Sequence, residues 1–210
     1  MTPTARPLSN PKGHIFLIED DVNLAASLVE SLEYLGYSLY SFSCAEDLFN
    51  SNIFSLSPSV IISDISLPGI SGIDLQAKLK ELGLFTPIIF ISGACSVSET
   101  IIGMKQGAIE FLTKPFRRED LNNAVDRGIE LERMRLNQIS IREGAAKLLA
   151  ELAPREREVF DLLVQGDSNL QIALTLKLSG DTVKQYKKQI KQKLQMDSLS
   201  QFISLAKKTI

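Results

Sequence analysis

The 210-residue chain contains one histidine, two cysteines and no apolar run approaching the roughly 18 residues that would suggest a membrane span. His14 stands alone at the start of an apolar stretch, so it offers no nucleophile a paired general base and is too isolated for a donor-type phosphohistidine. Cys44 and Cys95 match neither metal-ligand nor paired redox spacing, and both are expected to be free thiols in a reducing cytosol. Met1 to Lys12 is rich in Pro, Ser and Thr but has no apolar centre of the kind an export signal needs. Residues 1–13 therefore read as a flexible N-terminal segment of a cytoplasmic protein that neither enters nor crosses a membrane. No deep-pocket pattern or cofactor fingerprint supports an independent metabolic enzyme.

What is present is a hydrophobic content of 44%, enough for true cores, and an uneven distribution of charge. Residues 1–150 hold 13 Lys/Arg against 18 Asp/Glu, while residues 151–210 hold 10 against 7. An acidic front suits a cation site and a mildly basic tail suits a polyanion. Apolar runs of strand length at 14–18, 38–42, 59–63, 87–91 and 108–112 alternate with segments of helical spacing. Leu24, Leu28, Leu32 and Leu35 mark one such helix, which stops at Gly36, and Ser43 is expected to open a short one over 44–49. Continuous apolar strands alternating with helices are what a parallel sheet covered on both faces requires, so five βα units are expected between residues 14 and about 128.

Four of these strands end in chemistry: Glu19-Asp20, Asp64, Ser92 and Lys114-Pro115-Phe116. In an open α/β sheet such strand ends converge on one rim, where ligand sites lie. Three carboxylates gathered there repel one another unless a divalent cation occupies the site, and Mg²⁺, with its preference for hard oxygens, fits. With Mg²⁺ held by Glu19 or Asp20 and by Asp64, one Asp64 oxygen remains free to attack a phosphoryl group and form an acyl phosphate. Lys114 and the hydroxyl or backbone N–H at Ser92-Gly93 would compensate the transferred oxygens. Asp21 reads as a helix-start acid rather than a ligand, and Gly69 and Gly72 as loop and helix-start glycines rather than a phosphate cradle.

The segments "LIEDD", "IISDISLPGISG", "IFISG" and "FLTKPF", in this order and spacing, resemble the receiver domain of two-component response regulators over residues 14–128. The resemblance implies a CheY-like receiver with a five-stranded parallel doubly wound sheet. It also implies Asp64 as the phosphoacceptor, Glu19, Asp20 and Asp64 as Mg²⁺ ligands, Lys114 as the phosphate partner and Ser92 as the switch hydroxyl. Phe111 takes the aromatic switch position, and Pro115 follows a peptide that is cis in the family. Glu19 stands where aspartate is commoner, which lengthens one ligand arm. Slow autodephosphorylation is implied as well, with Ser66 and Ala94 placed to tune water access.

From Asp120 the pattern is helical, and Leu131, Met134, Gln138, Ile141, Ala145, Leu148 and Leu152 alternate steps of three and four. This stripe suits an extended connector helix, a dimer seam, or a helix broken near 140–144, where Ser140 and Gly144 fall. The segment 129–149 is expected to be a helical linker. Beyond it, Pro154 starts a helix with Val159, Phe160, Leu162 and Leu163 inward. Asn169 to Leu176 forms a second helix, and Asp181 to Leu194 a third that carries five lysines. Two helices joined by a tight turn, the second basic, form a unit that fits the DNA major groove.

The stretch "LAPREREVFDLLVQGDSNLQIALTLKLSGDTVKQYKKQIKQKL" resembles the LuxR/FixJ-type DNA-binding domain, over residues 150–209. By that resemblance the output is an all-α helix-turn-helix domain. Lys184, Gln185 and Lys188 are then the base-edge candidates, Lys187 and Lys191 phosphate contacts, and the helix near 198–207 a dimer contact. Tyr186 where histidine is usual, Gly180 and Ala153 depart from the pattern. The whole resembles a FixJ/NarL-like transcriptional response regulator, phosphorylated at Asp64 by a sensor histidine kinase, homodimeric when phosphorylated and bound to promoter DNA. The alternative is a phosphorylation-independent transcription factor using the receiver fold for dimerisation or ligand sensing.

Overall fold

The computed structural model describes residues 4–5, 8–51, 53–93 and 97–209. Ala94 and Cys95, for which expectations are stated above, lie outside the described residues. Two units are resolved, one ending at Leu136 and the other beginning at Asn137.

The first unit is built on five parallel strands, β2 (His14–Ile18), β3 (Ser38–Phe42), β4 (Ser59–Asp64), β5 (Ile88–Ser92) and β6 (Glu110–Thr113). Their spatial order is β3-β2-β4-β5-β6. A two-residue strand, β1 (Thr4–Ala5), adds an antiparallel edge to β3 by pairing with Ser41 and Tyr40. The five parallel strands are those expected, and β1 adds an antiparallel edge strand drawn from the segment expected to be flexible. Successive side chains of a strand point to opposite faces, and the core follows that alternation. Ile15, Leu17, Val60, Ile62, Ile89 and Ile91 pack under α1 (Val22–Tyr34) and the first turns of α5 (Arg118–Ala150). Phe16, Ile18, Ile61, Ile88 and Phe90 pack on the other face, with α2 (Ala45–Asn50) and α3 (Gly72–Glu81). The remaining helix of this unit is α4 (Val97–Lys105).

Local signals set the helix ends. Asp21 caps α1, accepting N–H bonds from Asn23 (2.9 Å) and Leu24 (3.1 Å), which is the role read for it and contributes about 1 kcal/mol. The cap of α2 is Cys44, not Ser43, and its side chain makes no capping bond. The peptide before Pro115 is cis, and so is Ser57–Pro58, which the sequence did not announce.

Helix α5 is continuous over 33 residues, so the broken-helix alternative is set aside. Gly144 lies inside it, and a glycine in an exposed helix costs only about 1 kcal/mol, a small penalty when both ends of the helix are docked. Near its start Leu121, Ala124, Val125 and Ile129 belong to the first core. Near its end Ala145 and Leu149 belong to the second. The heptad-like stripe divides accordingly: Leu131, Met134 and Ile141 are exposed, while Ala145 and Leu152 are buried.

The second unit adds α6 (Pro154–Gln165), α7 (Asn169–Leu176), α8 (Gly180–Leu194) and α9 (Leu199–Lys207). Their inward residues form one cluster around Phe160, Val183, Ile190, Leu194 and Phe202, with the Phe160 and Phe202 rings 5.4 Å apart. Ser168, Ser179 and Ser198 cap α7, α8 and α9. Lys177 closes α7 in the left-handed region at φ +56°, and the tight turn to α8 follows.

Candidate functional site

The C-terminal ends of β2, β4, β5 and β6 bring the expected residues to one rim. Lys114, just past β6, places its Nζ 2.5 Å from Asp64 Oδ2 and 2.7 Å from Glu19 Oε2. Carboxylate oxygens of Glu19, Asp20 and Asp64 lie within 4.8 Å of one another. Glu19 is 3% and Asp64 6% exposed, whereas Asp20 faces solvent. Such a set of hard oxygens, two withdrawn from water and one open to it, can coordinate a divalent cation that keeps part of its hydration.

Electrostatics follow from that burial. Desolvation pushes the Glu19 carboxyl above the usual carboxylate range, with the Lys114 ammonium and the Asp21 N–H only partly opposing it. Desolvation would pull Lys114 down, but Asp64 and Glu19 together outweigh it and hold the ammonium above the ordinary lysine value. Lys114 therefore stays charged, a fixed positive point beside Asp64.

Backbone groups orient Asp64. Ser66 N–H donates to Asp64 Oδ1 at 2.9 Å, leaving Oδ2 on the Lys114 side. Gly72, the first residue of α3, approaches so closely that an added Cβ would lie 2.4 Å from the Asp64 carbonyl oxygen. Ser92 ends β5, fully buried, and its Oγ has no hydrogen-bond partner among the described residues. Phe111, on the neighbouring β6, is partly buried with its ring 5.7 Å from that of Phe90.

On α8 the buried stripe Val183, Ile190 and Leu194 fixes the opposite face outward. Lys184, Gln185 and Lys188 are exposed, and Lys187 and Lys191 are half-buried. Lys184 pairs with Asp181 at 3.0 Å, and Lys187 donates to Asn169 Oδ1 on α7 at 2.9 Å. The fifth lysine, Lys193, is turned to another task, with its Nζ 2.6 Å from the buried Glu156 carboxylate of α6. Glu156 also accepts the Ala153 N–H at 2.7 Å. Desolvation raises Glu156, but Lys193 and that N–H outweigh it and leave the carboxyl below its ordinary value.

Sequence reading passed over Glu156 and Lys193. A carboxylate two residues after the helix-starting Pro154 and a lysine flanking the apolar stripe were the available signals. Among the described residues, no helix is long and apolar enough to cross a membrane.

Residues 15–126 match the response regulator receiver domain, and residues 150–206 match the luxR family of bacterial regulatory proteins. Nodulation protein W of Bradyrhizobium diazoefficiens is 33% identical over 94% of this chain and 87% of its own length. The transcriptional regulatory protein FixJ of the same organism is 32% identical over 93% and 95%. Among solved structures, response regulator StyR superposes with a TM-score of 0.82 at 32% identity, covering 93% of this chain and 98% of StyR. Full-length FixJ from B. japonicum gives 0.59 at 31% identity, covering 95% and 98%. The family implies a histidine kinase partner and a DNA target, and its receivers are phosphoacceptors rather than classical enzymes. A receiver fold with its acidic rim, joined to a helix-turn-helix unit, places the chain in the FixJ/NarL-type family of two-component transcriptional response regulators.

Proposed function

We propose that Asp64 accepts the phosphoryl group, that Glu19, Asp20 and Asp64 hold Mg²⁺, and that the product controls DNA binding through α8. The observation that carries this reading is the Lys114 ammonium bridging Asp64 and Glu19 on the rim. In the transfer an Asp64 carboxylate oxygen attacks phosphorus while the P–N bond of a kinase phosphohistidine breaks, its electron pair leaving on the imidazole. Bound Mg²⁺ would neutralise charge developing on the phosphoryl oxygens. Lys114 would follow the same oxygens, exchanging its carboxylate partner for the phosphate. Ser92 Oγ, buried without a partner, is the nearby hydroxyl with spare donor capacity. Its engagement, together with Phe111, would shift a two-state equilibrium toward a homodimer competent for promoter DNA. Pro115 belongs to the same switch region, beside Lys114.

On α8 the exposed Lys184, Gln185 and Lys188 are the base-edge contacts, and Lys187 and Lys191 bind phosphate. The test is binding to a panel of genomic fragments by wild type and Asp64→Asn, at fixed salt and Mg²⁺, with and without acetyl phosphate. Donor-dependent binding lost in the variant is the expected result. Equal binding by both proteins, with wild type demonstrably phosphorylated, would instead establish DNA contact uncoupled from Asp64.

A further inference from the structure

The loop that follows β4 is held at three points. Ser66 N–H donates to Asp64 Oδ1 at 2.9 Å, Gly72 N–H to the Ile65 carbonyl at 3.0 Å, and Ile70 N–H to Glu46 Oε1 at 3.2 Å. The first two ties are local. The third reaches in from the first turn of α2, 24 residues earlier in the chain. Gly69, just before Ile70, has a φ of +78°, and an added Cβ there would lie 2.5 Å from Glu46 Oε1. The carboxylate is thus pressed against backbone at a place where only glycine leaves room and where φ also favours glycine. Its second oxygen, Oε2, is buried and has no hydrogen-bond partner among the described residues. Burying half of a carboxylate unpartnered is costly, and an apolar side chain of similar size would fill the volume without that cost. What the carboxylate adds over such a side chain is the bond to Ile70.

We propose that Glu46 is a positioning residue for phosphoryl transfer. Its bond to Ile70 N–H holds the loop in the conformation in which Ser66 N–H engages Asp64 Oδ1 and turns Oδ2 toward Lys114. Glu46 touches neither donor nor phosphate and exchanges no proton; it acts through the backbone of residues 65–71. The inference rests on Asp64 being the acceptor. Misplacement of a reacting group by about 1 Å can slow a reaction on the order of 100-fold.

The experiment uses the full chain with acetyl phosphate and Mg²⁺, following acyl-phosphate formation by intact mass. It compares wild type, Asp64→Asn, Glu46→Gln, Glu46→Ala, Gly69→Ala and the Glu46→Ala/Gly69→Ala pair. Glu46→Gln retains an oxygen that can accept from Ile70 and is expected to stay within about twofold of wild type at saturating donor. Glu46→Ala is expected to fall roughly tenfold in the saturated rate with Mg²⁺ affinity unchanged. Gly69→Ala is also expected to fall, and adding Glu46→Ala to it should cost less than it does alone, because the clashing carboxylate is gone. Ile70 amide exchange should be slow in wild type and Glu46→Gln, and fast in Glu46→Ala. A Glu46→Ala rate equal to wild type, equal losses in Gln and Ala, or an Ile70 amide indifferent to Glu46 would each overturn the proposal. No uptake by wild type, or undiminished uptake by Asp64→Asn, would overturn the Asp64 reading instead, and the amide exchange still decides the loop tie.

Discussion

In the receiver unit the charges at the rim are withdrawn from water, with Glu19 3% and Asp64 6% exposed and the Lys114 ammonium between them, whereas on α8 Lys184 and Lys188 stand in solvent. Withdrawn carboxylates are costly unless compensated, so their positions are set tightly, by a lysine, by backbone N–H groups and by the closeness of Gly72. Exposed lysines cost little and gain little from neighbours such as Asp181. On the function proposed above, their worth comes from a polyanion that arrives later. One unit stores its chemistry in geometry and the other in accessibility, and salt should separate the two.

The largest effect should come from breaking the rim. Asp64→Asn is expected to abolish phosphoryl uptake while leaving the fold intact, as measured by intact mass with acetyl phosphate and by circular dichroism. Next comes the exposed surface. The Lys184→Ala/Lys188→Ala pair should weaken DNA binding by about 1–3 kcal/mol per contact and flatten the dependence of affinity on salt concentration. Unchanged affinity by fluorescence anisotropy would remove α8 as the reading helix.

Lys193 sharpens the comparison, because it lies on the same helix as the exposed lysines yet pairs with the buried Glu156. Lys193→Ala should destabilise the second unit by about 1–2 kcal/mol in denaturant melts, allowing for a lysine that is partly in solvent. Its pH dependence has a definite sign. The folded Glu156 carboxyl lies below its unfolded value, so this stabilisation is complete above the unfolded value and is lost as pH falls through the folded one. The Lys193→Ala deficit should therefore shrink in acid. The smallest effect is a difference in titration. Carboxyl NMR should find Glu19 titrating above the ordinary range and Glu156 below it, with added Mg²⁺ drawing Glu19 down. A Glu19 titration indifferent to Mg²⁺ would remove it from the metal set.

Much of the receiver was legible in the chain because a strand buried on both faces must be apolar throughout, so 14–18, 59–63 and 87–91 stand out and their ends mark the rim. The same order and spacing exposed Asp64 and Lys114 at a sequence distance of 50 residues. What escaped were ties made by residues with no periodic signature. Glu46 looks like any first-turn acid, and nothing in its neighbours announces that it reaches the loop at Ile70. Thr4–Ala5 is too short to carry a strand pattern, so its pairing depends on the edge that β3 offers. The continuity of α5 was undecidable locally, since Gly144 weakens a helix that only docking at both ends makes secure.

That helix bears on how such proteins diversify. Its first turns complete one core and its last turns complete another, but residues 137–144 are exposed throughout, a length of about 12 Å at the α-helical rise. No buried side chain there records which partner unit lies beyond. A genetic crossover inside those eight codons would cut through no buried side chain, whereas one beyond Ala145 would divide the second core between two parents.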